Sequence, residues 1–274
     1  MSAFSFGTGS LRLPLPGAGL QRLRSFTTGG LMLLLMSACA RGPDYDLVIR
    51  GGTLYDGSGE PGMVGDLAIS GDTIVALGDL SEASGAQEID ASGMAVAPGF
   101  VNLMSWATET MIEDGRAMSD ILQGVTLQVM GEGTSMGPIP DSLKAWAESE
   151  QGDIKYEIEW TTLGEYLEYL ADRGVSPNVS SFMGAATART NVVGFEDRAP
   201  DPDELARMQE LVREAMQEGA LGLASALIYA PGAYAQTPEL IALAEAAGVF
   251  GGIYISHLRS EGNQLLEGFD ELLT

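Results

Sequence analysis

Cysteine and histidine are almost absent, one of each in 274 residues, and basic residues are scarce, 14 Lys and Arg against 38 Asp and Glu. A lone cysteine excludes a disulfide framework and any Cys-rich zinc module, both of which need sulfurs in sets. A formal charge of −24 argues against nucleic acid as a partner, because phosphate backbones are met by a basic footprint. It favours a solvated, self-repelling acidic exterior. No apolar run approaches the ~20 residues that cross a bilayer as a helix. No Gly-x-Gly-x-x-Gly joins an apolar run to a helical stretch, which removes the main sign of a dinucleotide fold. What is present is 45% hydrophobic content, ample for one large domain or two smaller ones.

The sole cysteine, Cys39, closes a leader of distinct character. Residues 1–39 carry Arg12, Arg22 and Arg24, no acid, the apolar run Leu31–Met36, and then Ser37 and Ala38. A basic segment, a short apolar segment and small residues before a cleavage point make an export signal. Cys39 after Met-Ser-Ala resembles a bacterial lipobox, whose cysteine becomes the lipidated first residue of the mature protein. The expectation is an exported lipoprotein at the periplasmic face of the outer membrane, touching the membrane only through the anchor at Cys39. Ordinary secretion with an incidental cysteine is the alternative.

Residues 40–97 hold short β-rich runs: Asp46–Arg50, Asp66–Ser70, Thr73–Leu77 and Met94–Ala97. Gly and Asp separate them, and Gly71-Asp72 is a hairpin signal. They predict a small antiparallel, β-sandwich-like module. From Pro98 the pattern alternates. Apolar runs at Phe100–Met104, Thr126–Met130, Asn178–Met183, Leu221–Ser225 and Phe250–Ser256 are interleaved with helical stretches. The best marked helix spans Asp201–Glu218, with Asp201 as cap, Pro202 first in, Glu204 completing a capping box, and Leu205, Met208, Leu211, Val212 and Ala215 as its stripe. Alternation of this kind means α/β with parallel strands. By itself it leaves an open doubly wound sheet and the start of a barrel both in play.

One stretch organises the rest. Leu221–Glu261 reads strand, loop, helix, strand, with Thr237 expected as N-cap and Pro238 at the first helical position. It delivers the only histidine, His257, to the end of a strand, where chemistry in such folds concentrates. The preceding loop carries Tyr229, and Arg259 and Glu261 follow the histidine.

The segments LGLASALIYAPGAYAQTPELIALA and GGIYISHLRSEG, with NVSSFMGAATARTNVVGFEDRAP and IRGGTLYDGSGEPG upstream, resemble the N-acyl-D-amino-acid deacylases (D-aminoacylases) of the amidohydrolase superfamily. The resemblance implies a partial TIM-type (β/α) barrel, about five of eight units over residues 98–274, and hence a truncated chain expected to be inactive as it stands. It implies amide hydrolysis of a small N-acyl amino acid with water activated on a divalent metal, zinc first, with iron, manganese or cobalt also compatible.

The metal motifs of that family are altered here. Its His-x-His pair after Pro-Gly-Phe falls on Met104 and Trp106, and neither side chain replaces an imidazole on zinc. Its Cys ligand after the second strand falls on Gly133, with Glu132 one position earlier as a carboxylate substitute or as an ordinary capping residue. A further His falls on Ala185. His257 matches a metal ligand. Tyr229 matches a donor to the substrate carbonyl or tetrahedral oxyanion, or else packs as a loop aromatic. Arg259 could hold a substrate carboxylate or pair with Glu261. Glu132 and His257 together make half of a catalytic zinc site, so one ion is the expectation. Two other readings stay open: a non-catalytic, lipid-anchored binding protein on the same fold, and a cyclic-amide hydrolase of the dihydroorotase or hydantoinase type.

Overall fold

The computed structural model describes residues 42–274. Cys39 and the leader lie outside the described residues. Those residues form two compact units, one of 42–54 with 62–96 and one of 55–61 with 97–274.

The first unit is a single five-stranded sheet built on β1 (Tyr45–Leu54). β2 (Met63–Ser70) pairs with it antiparallel, and β3 (Thr73–Gly78) returns beside β2 through the expected Gly71-Asp72 turn. Gly71 sits at φ +61°, a left-handed conformation that a residue without Cβ adopts freely. β4 (Gly85–Asp90) and β5 (Ala95–Val96) then pair parallel to successive halves of β1. The sheet is therefore mixed, not antiparallel. β4, GAQEID, is almost wholly exposed and has no apolar alternation, which is why periodicity does not announce it. Asp66 accepts from the Gly51 and Leu80 N–H groups and from Arg50, and these bonds, Gly51 first, hold its carboxyl below the usual range.

The second unit alternates strands and helices in chain order: β6 (Phe100–Asn102), α1 (Thr108–Glu113), α2 (Met118–Ile121), β7 (Val125–Met130), α3 (Asp141–Ser149), α4 (Leu163–Arg173), β8 (Asn178–Ser181), β9 (Met183–Gly184), α5 (Ala185–Val192), α6 (Pro202–Gln217), β10 (Gly222–Ala226), α7 (Thr237–Gly248), β11 (Ile253–His257) and α8 (Leu265–Leu272). Every strand pairing is parallel, β6-β7-β8 and β9-β10-β11. Only Phe182 separates β8 of one sheet from β9 of the other, and its N–H donates to Met130 O.

Burial follows the helix stripes. Met130, Met183 and Leu223 pack with Leu163, Tyr166 and Leu170 of α4, Met208, Leu211 and Val212 of α6, and Leu240 and Leu243 of α7. Each such side chain stabilises the fold by about 1.5–3 kcal/mol. Val129, Phe182 and Ala224 form a second, smaller cluster with Leu127 and Ile255. The α5 segment AATARTNV is buried from Ala185 to Arg189 and shows no polar face, so no helical stripe betrays it in the sequence.

The caps are explicit. Thr162 with Glu165 opens α4, and Asp201 with Glu204 opens α6, both as complete capping boxes. Asp201→Ala should lower stability by about 1 kcal/mol, read as a shift of the denaturant midpoint at unchanged slope. The expectation for α7 differs in detail. Gln236 is its N-cap, while the Thr237 hydroxyl donates 2.9 Å to Glu271 Oε1 and ties α7 to α8.

Arg198 forks onto both oxygens of Glu204, at 2.6 and 2.7 Å. That bond, followed by the Asp201 N–H, draws the Glu204 carboxyl down to about 2 from an ordinary 4.5. A carboxyl more acidic in the folded state stabilises it above the unfolded value and loses that contribution as pH falls through the folded one. Stability measured by denaturant titration should therefore decline less steeply between pH 4.5 and about 2 in Glu204→Gln than in the native chain.

Candidate active site

The candidate residues Glu132, Tyr229 and His257 stand at three strand ends of the second unit, those of β7, β10 and β11. β7 runs into Gly131-Glu132-Gly133. Gly131 has φ +97°, and Gly133 has φ +72°. A Cβ on Gly131 would lie 2.3 Å from Phe182 O, and one on Gly133 would lie 2.5 Å from Ala226 Cβ. Neither position accepts a side chain without displacing backbone, so this loop presents one side chain only, Glu132. The result also explains Gly133: the thiol that the resemblance places there has no room.

β10 and β11 are in register, Ala226 beside His257, and Leu227 N–H donates 3.0 Å to His257 O. The loop after β10 is thus pinned to the end of β11. It sets the Tyr229 ring 5.5 Å from the His257 ring, centroid to centroid, at 59°. The imidazole is loosely held: Nδ1 lies 3.4 Å from Leu258 O, and Nε2 lies 3.8 Å from Glu261 Oε1. Tyr229 is exposed.

Trp106, Glu132, Gly133, Thr134, Ala186 and Tyr229 are among the residues lining a pocket of ~190 Å³. Sequence reasoning had no means of finding the bond across it: Trp106 Nε1 donates 3.1 Å to Glu132 Oε2. The other carboxylate oxygen, Oε1, is buried and has no hydrogen-bond partner. An ionised oxygen in that state is costly unless a cation or a donor meets it.

That orphaned oxygen and the loosely held imidazole are the donor chemistry a divalent ion takes, one carboxylate and one neutral nitrogen. Among the described residues no cluster of three or more His, Cys, Asp or Glu could hold a metal. Met104 is exposed and Ala185 is buried. Glu132 and His257 are two donors of the right kind, fewer than the three protein ligands of a catalytic zinc site.

Arg259 is placed differently from the sequence expectation. Its Nε and Nη2 donate to Glu271 at 2.9 Å, and Nη1 and Nη2 reach Ala233 O at 2.9 Å and Ala235 O at 2.7 Å. Its partner is Glu271, not Glu261, and its donors are spent inside the protein. What it does is fasten the segment after Tyr229 to α8.

The chain is 35% identical over 233 residues to a D-aminoacylase of Alcaligenes xylosoxydans xylosoxydans, covering 83% of this chain and 47% of that protein. It is 34% identical over 235 residues to an N-acyl-D-aspartate deacylase from the same organism, with 83% and 46% covered. A crystal structure of a D-aminoacylase, described as defining a novel subset of amidohydrolases, superposes with a TM-score of 0.73 at 31% identity over 83% of this chain and 48% of that one. The N-acyl-D-glutamate deacylase from Bordetella bronchiseptica, complexed with zinc and a phosphonate inhibitor, gives 0.74 at 30% identity over 84% and 48%. An L-hydantoinase from Arthrobacter aurescens, at 0.51 and 16% identity, shares the fold alone. No protein-family model matches the chain. The chain is a homologue of the N-acyl-D-amino-acid deacylases within the amidohydrolase fold, and it spans about half the length of the curated relatives it matches.

Proposed function

We propose that this protein is a metal-dependent hydrolase of N-acyl-D-amino acids, cleaving the amide to a carboxylate and a free D-amino acid. The observation that carries the reading is the strand-end pocket, in which Glu132, with one oxygen orphaned, shares a wall with Tyr229, whose ring lies tilted 5.5 Å from that of His257. The sequence kinship gives that pocket its reaction class. The parallel strands of the second unit are, on this proposal, the first units of a (β/α) barrel.

Glu132 and His257 are the residues that would hold the ion, with zinc the first choice. When bound, such an ion supplies Lewis acidity toward the amide carbonyl and a water of lowered pKa. Tyr229 would donate a hydrogen bond from its hydroxyl to the carbonyl oxygen as charge builds there. Gly131 and Gly133 let the Glu132 loop pass close against Phe182 and Ala226, and Arg259 steadies the loop that carries Tyr229. A single-ion site is proposed, because Met104 and Trp106 cannot ligate zinc. A lipid anchor at Cys39, facing the periplasm, remains part of the proposal on the leader's pattern alone.

The reading is tested by incubating the full-length protein with the D and L enantiomers of an N-acetyl amino acid and following release of free amine. Hydrolysis confined to the D form, abolished by a chelator and restored by zinc, is the expected result. No release from either enantiomer with metal present would overturn it. A second reading, a non-catalytic binding protein, is favoured by one observation: the Trp106 indole sits where an imidazole is expected and is bonded to the candidate ligand. On that reading an N-acyl amino acid binds and is recovered intact.

A further inference from the structure

A second cavity, of ~280 Å³, adjoins the strand-end pocket, and Thr134 lines both. At the start of α5, Ala186 lines the pocket and its neighbour Thr187 lines the cavity. The remaining walls come from the chain after β7, from α3 and from the 151–158 segment. Ile139, Leu143, Trp146 and Ile158 make the interior largely apolar. Glu109 and Glu150 also line it, and among the described residues no lysine or arginine does.

The cavity is preformed. Ser135 N–H donates 2.8 Å to Thr187 Oγ1, and Asn191 Nδ2 donates 3.0 Å to Pro138 O, so the wall after β7 is tied to α5. Opposite, Gln151 brackets Tyr156, accepting from its N–H at 3.2 Å and donating to its carbonyl at 2.8 Å. The Tyr156 hydroxyl donates 3.1 Å to Glu109 Oε1, and Ile158 N–H donates 3.0 Å to Glu148 Oε1. A segment without helix or strand is thereby held in place, and an entering ligand has little left to order.

We infer that this cavity takes the acyl chain of the substrate, and that the preferred acyl group is an uncharged alkyl chain longer than acetyl. The inference rests on the deacylase reading and adds to it the class of acyl group. Charge decides which end of the substrate enters. An amino-acid side chain brings its α-carboxylate along on the adjacent carbon, and Glu109 and Glu150 repel a carboxylate. An alkyl chain carries no charge, and each methylene it buries should favour binding about fourfold. Acetyl, with a single methyl, leaves most of the cavity unfilled.

The full-length protein is assayed on one D-amino acid carrying acetyl, butanoyl, hexanoyl or octanoyl. Octanamide, neutral and without the amino-acid part, is titrated by calorimetry as a binding probe that needs no turnover. Two variants are compared with the native protein: Ala147→Phe, which fills the cavity from α3, and Ile139→Ala, which enlarges it. Native kcat/KM should rise about fourfold per added methylene until the cavity is full. In Ala147→Phe the octanoyl-to-acetyl ratio should fall by at least about tenfold, with octanamide binding lost. Ile139→Ala should move the optimum toward the longer acyl groups. A native preference for acetyl without octanamide binding, or a ratio unchanged in both variants, would overturn the inference and leave the deacylase reading standing. Octanamide bound by the native protein and lost in Ala147→Phe, with no hydrolysis at any acyl length, would uphold the cavity as an alkyl-chain site and overturn the deacylase reading alone.

Discussion

Tyr229→Phe should lower kcat for N-acyl-D-amino-acid hydrolysis by about 10²–10³, equivalent to about 2.7–4 kcal/mol, the cost of removing one donor aimed at a developing oxyanion. KM should change little, because the bond strengthens as the carbonyl oxygen gains charge and contributes little to the ground state. The change deletes one oxygen from an exposed ring, so the fold is not at stake. Its ring stays against His257, 5.5 Å away, and the Ala233 and Ala235 carbonyls remain fastened by Arg259. Steady-state kinetics on the pure D substrate separate the outcomes. A raised KM with kcat intact would make Tyr229 a binding residue only, and no change in either would remove it from the site.

Arg189→Ala should destabilise the second unit by about 3–5 kcal/mol, the cost of leaving a buried charge without its partner. Arg189 is wholly buried and Glu239 nearly so, and Nη1 donates 2.7 Å to Glu239 Oε2 across α5 and α7. The same guanidinium donates 3.1 Å to Glu196 O and also reaches Arg198 O, so it holds the 196–198 loop as well. Burial pushes the Glu239 carboxyl up and Arg189 pulls against that. Without Arg189 the upward push is unopposed. A carboxyl with a raised folded value favours folding below its ordinary 4.5 and costs stability as pH rises through the folded value. The variant should therefore recover more stability on acidification through that window than the native chain does, because Arg189 opposes part of the upward push there. Urea unfolding at neutral and at mildly acidic pH reads both effects. Removing both partners, as Arg189→Met with Glu239→Leu, should cost much less than Arg189→Ala alone, since no charge is stranded. Equal losses in the two variants would show that the carbonyl contacts, not the ion pair, carry the cost.

The parallel α/β layout was legible because its signals are local: apolar runs of strand length, the Asp201/Glu204 capping box, the Gly71-Asp72 turn. Elements without such signals were not. β4 is exposed along nearly its full length, and α5 is buried on every side through Ala185–Arg189, so neither has a face for periodicity to detect. At the site, the meeting of Tyr229 with His257 could be anticipated from strand order. The Trp106–Glu132 bond could not, because it joins two loops by side-chain direction rather than by spacing. Arg259 shows the same limit. Glu261 is its near neighbour in sequence, yet the side chain turns to Glu271, one helix further on. The steric closure at Gly133 is also a tertiary fact, since it comes from Ala226 on another strand.

The claim that Glu132 and His257 form the core of a single-ion hydrolase site is met most directly by elemental analysis of the purified full-length protein and its His257→Ala variant. The account predicts about one zinc per chain in the native protein and none retained by the variant after dialysis. Zinc held equally by both, or by neither, would contradict it.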